Sequence, residues 1–263
     1  MRIRNTLLLC IASLFINTIH ADLINAQENG WGNLKGRIKV TGDVPKLPPL
    51  KIVGCPGVAN PAPADPNLTV SKDGGLKEVF VMMYLKGDKK PAIHPSYEEM
   101  AAKPVTLDNK DCLFSPHALF LRTGQPLTLK NSDNVGHNCH IILLNSEENI
   151  TIPVADSVDV KFKDTEKVPG LVKCDIHRWM DAVLLVRDEP YAAITDKDGS
   201  FEIKNIPEGE WKFQFWHKKA GYLRDLNVSD KEVGRRGDIE IEIKNGETLD
   251  LGEMTIDGSK LNK

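Results

Sequence analysis

Cys174-Asp175-Ile176-His177-Arg178-Trp179-Met180 is the stretch on which the reading of this chain turns. It sets a thiol, an imidazole and a thioether at the spacing C-x2-H-x2-M, just ahead of the apolar run Ala182–Val186. A loop this short between adjacent strands can aim all three side chains at one point. Upstream, residues 131–138 read N-S-D-N-V-G-H-N, which puts His137 directly after a polar turn. Two imidazoles, one thiolate and a weak thioether form the soft, compromise ligand set that suits an ion cycling between Cu(I) and Cu(II).

The surroundings read as all-β. Alternating and β-branched runs recur at Leu34–Val40, Glu78–Leu85, Ala118–Arg122, Pro126–Asn131, His140–Leu144, Ser157–Phe162 and Ala182–Val186. A second series covers Tyr191–Thr195, Ser200–Lys204, Trp211–Trp216, Asp238–Ile243 and Thr248–Ile256, with Asp198-Gly199 and Asn245-Gly246 expected as hairpin tips. One helix is expected, opened by a capping box of Ser96 with Glu99 and closed by Pro104. The boundary is placed at Asp188-Glu189-Pro190, giving one sandwich over 31–187 and a smaller one over 191–256. The strand 34–40 is a candidate to complete the second. With 263 residues, 41% hydrophobic and 27% charged, the chain is neither disordered nor a polytopic membrane protein. A formal charge of −3 gives no reason to expect nucleic-acid binding.

The N-S-D-x3-H-N and C-x2-H-x2-M pair resembles the cupredoxins, and the spacing of the second motif is similar to that of amicyanin. The resemblance implies a Greek-key sandwich holding one type 1 copper. It implies His137, Cys174 and His177 as strong ligands and Met180 as the axial one. Asn138 would tie the two ligand loops together, His177 would face a redox partner, and Trp179 would form an apolar collar. The segment Cys112-Leu113-Phe114-Ser115-Pro116-His117 is similar to one found in exported cupredoxin-like proteins with a second β domain. Residues Thr195–Ile203 and Ile206–Trp211 resemble a carboxypeptidase regulatory-like sandwich, of transthyretin-like or starch-binding-like fold.

The sequence leaves several alternatives open. If Cys174 is a ligand, pairing Cys55 with Cys112 leaves Cys139 reduced in the core, whereas a Cys139–Cys174 disulfide would abolish the copper site. A zinc site of His137, His140, Cys174 and His177 is opposed by strand alternation, which turns His137 and His140 to opposite faces. His117, alone or joined by His140 or His217, is a candidate for a secondary metal contact, the alternative being a hydrogen-bonded structural group. Trp211, Trp216 and Tyr222 offer either a sugar-stacking face or ordinary core. Arg2, Arg4, the apolar Thr6–Ile19 and the small residues Ala21 and Ala26 read as a signal peptide over 1–26, the rival being a membrane anchor. The expected protein is therefore exported, periplasmic or secreted, without a membrane span. It passes single electrons between redox partners such as a cytochrome or an oxidoreductase. A copper carrier or store, and a carbohydrate-binding module on a cupredoxin-like scaffold, are the competing functions. Catalysis is not expected, because four ligands leave copper no open position.

Overall fold

The computed structural model describes residues 30–56, 63–87 and 89–262; the signal-peptide reading of 1–26 lies outside them. The chain is all-β. Trp31–Thr41 (β1) and Phe80–Tyr84 (β2) precede a short α-helix, Ser96–Ala102 (α1). Nine strands follow: Val105–Lys110 (β3), Leu113–Ser115 (β4), Ala118–Arg122 (β5), Leu127–Asn131 (β6), His137–Ile142 (β7), Glu147–Ile152 (β8), Ser157–Val160 (β9), Gly170–Lys173 (β10) and Asp181–Arg187 (β11). Six more strands follow, Ala192–Ile194 (β12), Ser200–Pro207 (β13), Gly209–His217 (β14), Gly221–Tyr222 (β15), Asp238–Ile243 (β16) and Thr248–Asp257 (β17), and a 3-10 turn at Gly258–Leu261 comes after them. Among the described residues no helix is long and apolar enough to cross a membrane.

Two sheets, β5-β11-β10-β7-β8 and β4-β3-β6-β9, enclose one core. Leu107, Leu127 and Leu129 meet Leu121, Ile141, Val172 and Leu184 there. The second core lies between β13-β1-β17 and β12-β2-β14 with β15 and β16. It gathers Leu34, Ile38, Val81, Met83, Ile203, Phe213, Phe215, Ile241 and Met254. β1 is the middle strand of its sheet, antiparallel to β13 and parallel to β17. β2 lies between β12 and β14. Residues 31–41 and 80–84 therefore pair with strands that follow Pro190, and the two cores interleave in sequence instead of dividing at that proline.

A third cluster joins the two sandwiches. Phe80 and Met82, on the far face of β2, meet Val183 and Leu185 on the far face of β11. Strands buried on both faces lose their alternation and read as continuous apolar runs, which explains Phe80–Met83 and Ala182–Val186.

Three local expectations need correcting. Ser96 is the first residue of α1 and its side chain does not cap it; its hydroxyl bonds His94 Nδ1 at 2.8 Å instead. The glycines Gly199 (φ 85°) and Gly246 (φ 72°) make the turns foreseen for them. Neither turn is a hairpin tip, however. β12 pairs with β2 while β13 pairs with β1, and β16 pairs with β14 while β17 pairs with β1. Both turns carry the chain across from one sheet to the other. At Gly199 a Cβ would lie 2.3 Å from the Ile38 carbonyl oxygen, so the close approach to β1 admits no side chain.

Candidate metal centre

The heptad forms the loop between β10 and β11, which pair with Lys173 opposite Asp181. β7 flanks β10 on its other side, so His137 at its start stands beside the loop. The loop is braced by its own backbone. Cys174 N–H donates to Met180 O at 3.1 Å and Met180 N–H to His177 O at 2.9 Å. The His177 N–H lies 3.4 Å from Cys174 Sγ.

These constraints bring three ligand atoms together. His137 Nδ1 and His177 Nδ1 are 2.9 Å apart, and Cys174 Sγ is 4.0 and 3.7 Å from them. A point equidistant from all three lies about 2.1 Å from each, which is the length of a metal–nitrogen or metal–sulfur bond. All three side chains are buried. Burial, reinforced at His137 by His177, lowers the pKa of both imidazoles, so their lone pairs stay available at neutral pH. Met180 is fully buried in the same core cluster as Cys174. The donor set therefore fits a soft redox metal.

Around the three lies a hydrogen-bonded frame. Asn138 Oδ1 accepts from Asp175 N–H at 2.8 Å and sits 3.3 Å from Cys174 Sγ. Its amide nitrogen donates to Asn149 Oδ1 and Asp175 Oδ2, at 2.7 and 3.2 Å. One side chain on β7 thus holds the cysteine end of the loop. Trp179 lies 5.1 Å, centroid to centroid, from the His177 ring, and its Nε1 donates to Cys112 O at 2.9 Å.

Asp133 belongs to the upstream motif and also touches the cluster. Its Oδ2 stands 3.0 Å from His137 Nε2, which occupies that nitrogen and leaves Nδ1 for the ligand cluster. The same carboxylate accepts from the Asp111 and Cys112 N–H groups. The aspartate four residues before the histidine was the available signal. Nothing in the spacing distinguished it from a solvated turn residue.

Cys55 and Cys112 form a disulfide, and Cys139 and Cys174 are free thiols. Burial pushes the Cys139 thiol up to about 12, consistent with a core group. His140 stays outside the ligand cluster, between Asp175 Oδ2 at 2.9 Å and Glu147 Oε1 at 2.7 Å. His117 lies elsewhere, with Nδ1 2.5 Å from Glu78 Oε2 and Nε2 3.1 Å from Asp181 Oδ1. His217 is buried and held neutral, its pKa lowered to about 4 by burial. Trp211 belongs to the core, and Trp216 and Tyr222 pack against the joint between the sandwiches.

No family model matches the chain, and no curated protein matches it. Among solved structures, the reduced Cu(I) form of an amicyanin mutant is similar over 41% of this chain and 98% of its own, at 15% identity and a TM-score of 0.29. A purple cupredoxin from Nitrosopumilus maritimus is similar over 32% of this chain and 97% of its own, at 20% identity and a TM-score of 0.27. A Cu-containing nitrite reductase from Thermus scotoductus matches over 39% of this chain and only 24% of its own, at 19% identity and a TM-score of 0.28. These structural neighbours are cupredoxins or copper enzymes, matched at low coverage.

Proposed function

We propose that this chain is an exported mononuclear type 1 copper protein that passes single electrons between larger redox partners. The observation that carries the reading is the convergence of His137 Nδ1, His177 Nδ1 and Cys174 Sγ around a point at bonding distance. Copper bound there would supply a one-electron couple. Cys174 would provide the thiolate, His137 and His177 the imidazoles, and Met180 the weak fourth ligand. The residues' own task is to stay still. Asp133 fixes the His137 ring, Asn138 fixes the loop at Cys174, and Trp179 packs on His177. Ligands already held need little rearrangement when the charge at the centre changes by one.

Burial favours electron transfer over a carrier role, since exchange of a metal requires the ligands to be reached, and His137 and Cys174 are 0% and 1% exposed. Ile176, 58% exposed beside the buried His177, offers an apolar contact to a partner such as a cytochrome. A disulfide between Cys55 and Cys112 fits export to an oxidising compartment. The decisive experiment is addition of Cu(II) to the purified protein. An intense visible thiolate-to-copper band is expected in the wild type and is expected to vanish in Cys174→Ser. A colourless wild-type protein that retains copper would overturn the proposal.

A further inference from the structure

At the far end of β11 from the heptad loop, the joint between the two sandwiches opens into a cavity of about 460 Å³. Asp181 begins β11 next to Met180 and Arg187 ends it at the cavity, so the two sites are separated by about 20 Å of strand. Six cationic side chains line this space: Lys86, Lys89, Lys90, Lys167, Arg187 and Arg236.

Among the described residues, none of the acids nearby forms an ion pair with the lysines. Glu189 is paired with the buried Arg187 at 2.5 Å. The Glu166 carboxylate accepts the backbone N–H groups of Leu144 and Asn145. Asp188 Oδ1 accepts from the Thr123 hydroxyl at 2.9 Å. Among the described residues, Lys86, Lys89, Lys90, Lys167 and Arg236 have no carboxylate within ion-pair distance. Two of these cations rest on aromatic rings instead. Lys89 Nζ is 3.9 Å from the centroid of Trp211, and Arg236 lies 5.8 Å over Tyr84 while donating to its hydroxyl at 3.1 Å. A ring face holds a cation in place without cancelling its charge. The floor is polar and buried: Arg187 is 6% exposed and its Nε has no hydrogen-bond partner. The lining carries six cations against the three carboxylates of Glu166, Asp188 and Glu189, and a cleft walled by protein focuses the field of this excess on whatever enters.

We propose that this cleft binds a small organic anion carrying two or more phosphate or carboxylate groups. The site is independent of the metal centre and of any function assigned to it. The test is calorimetric titration of the full-length, metal-free protein with pyrophosphate and with citrate. Saturable one-to-one binding of at least one of them is expected. Preference for pyrophosphate supports a phosphate ligand, and preference for citrate a carboxylate one. Lys86→Gln combined with Lys90→Gln should weaken binding about tenfold, that is by about 1.4 kcal/mol. The pair Lys46→Gln and Lys51→Gln, exposed residues that do not line the cleft, should leave it unchanged. Absence of saturable binding by both anions overturns the proposal. So does equal binding by the Lys86/Lys90 variant, or an equal loss in the control pair.

Discussion

Asn138 shows how much of the candidate metal centre depends on one amide. It accepts from the Asp175 N–H and donates to Asp175 and Asn149, joining β7 to the loop after β10. Asn138→Ala removes the acceptor from a partly buried backbone N–H, a change that costs about 1 kcal/mol. We expect a lower unfolding midpoint and, in the copper-loaded protein, a broadened visible band as the Cys174 sulfur gains freedom. A midpoint shift with an unaltered band would remove Asn138 from the centre. His117 acts by charge at the same scale. Burial opposes its protonation, but its bonds to Asp181 and Glu78 prevail and raise its pKa. Protonated histidine is therefore favoured by folding. Its stabilisation is complete below the unfolded value of about 6.5 and is lost as pH rises through the raised folded value. His117→Gln removes the cation shared by Glu78 and Asp181, each of which keeps a lysine partner (Lys77 and Lys218), and should cost about 1.5 kcal/mol in mildly acidic solution. The gap between wild type and variant should narrow in alkaline solution. Urea unfolding on either side of neutrality measures it, and a gap that widens with pH would reverse the assignment.

Among the elements, the β3–β4 hairpin is the one that ties covalent structure to the candidate metal centre. Asp111 and Cys112 at its tip both adopt left-handed backbone, with φ of 55° and 58°, as a two-residue turn between twisted strands requires. The Cys112 N–H donates to Asp133, which holds His137, and the Cys112 carbonyl accepts from Trp179, which packs on His177. The Cys55 disulfide thus braces both imidazoles through a single residue. Replacing Cys55 and Cys112 together with serine should cost about 2–4 kcal/mol. It should also speed copper loss to a chelator, and a stability loss with an unchanged release rate would separate the bridge from the site. Only part of this was legible in the chain. Strands with one buried face, such as Leu127–Asn131, announced themselves by alternation. Glu147–Ile152 did not, because it is a sheet-edge strand exposed along most of its length. The heptad was readable because its ligands lie within seven residues. The bond from Asp133 to Cys112 spans 21 residues and depends on how β3 and β4 fold back, which no local pattern records. Asp198-Gly199 and Asn245-Gly246 specified reversals of direction, and turn chemistry alone does not say whether the next strand pairs with the last or crosses to the opposite sheet.

At the scale of the whole molecule, four sheets stack through three apolar layers, and the chain visits the second sandwich first. β1 fills the centre of one of its sheets and β2 lies between β12 and β14 in the other. A cut at Pro190 would leave residues 191–263 with β13 and β17 lacking the strand that joins them. β14 would lose its β2 neighbour, and Phe213, Phe215 and Ile203 would lose Leu34, Ile38, Val81 and Met83 from their core. Removing those four side chains alone forfeits on the order of 8 kcal/mol of burial, comparable with the entire stability of an ordinary domain. The isolated 191–263 segment should therefore show no cooperative thermal transition and poor amide dispersion in its NMR spectrum. Supplying residues 30–87 as a separate chain should restore both, since that segment carries the missing strands and their apolar faces. If 191–263 unfolds cooperatively by itself, the sandwich does not depend on β1 and β2, and the chain is two sequential domains after all.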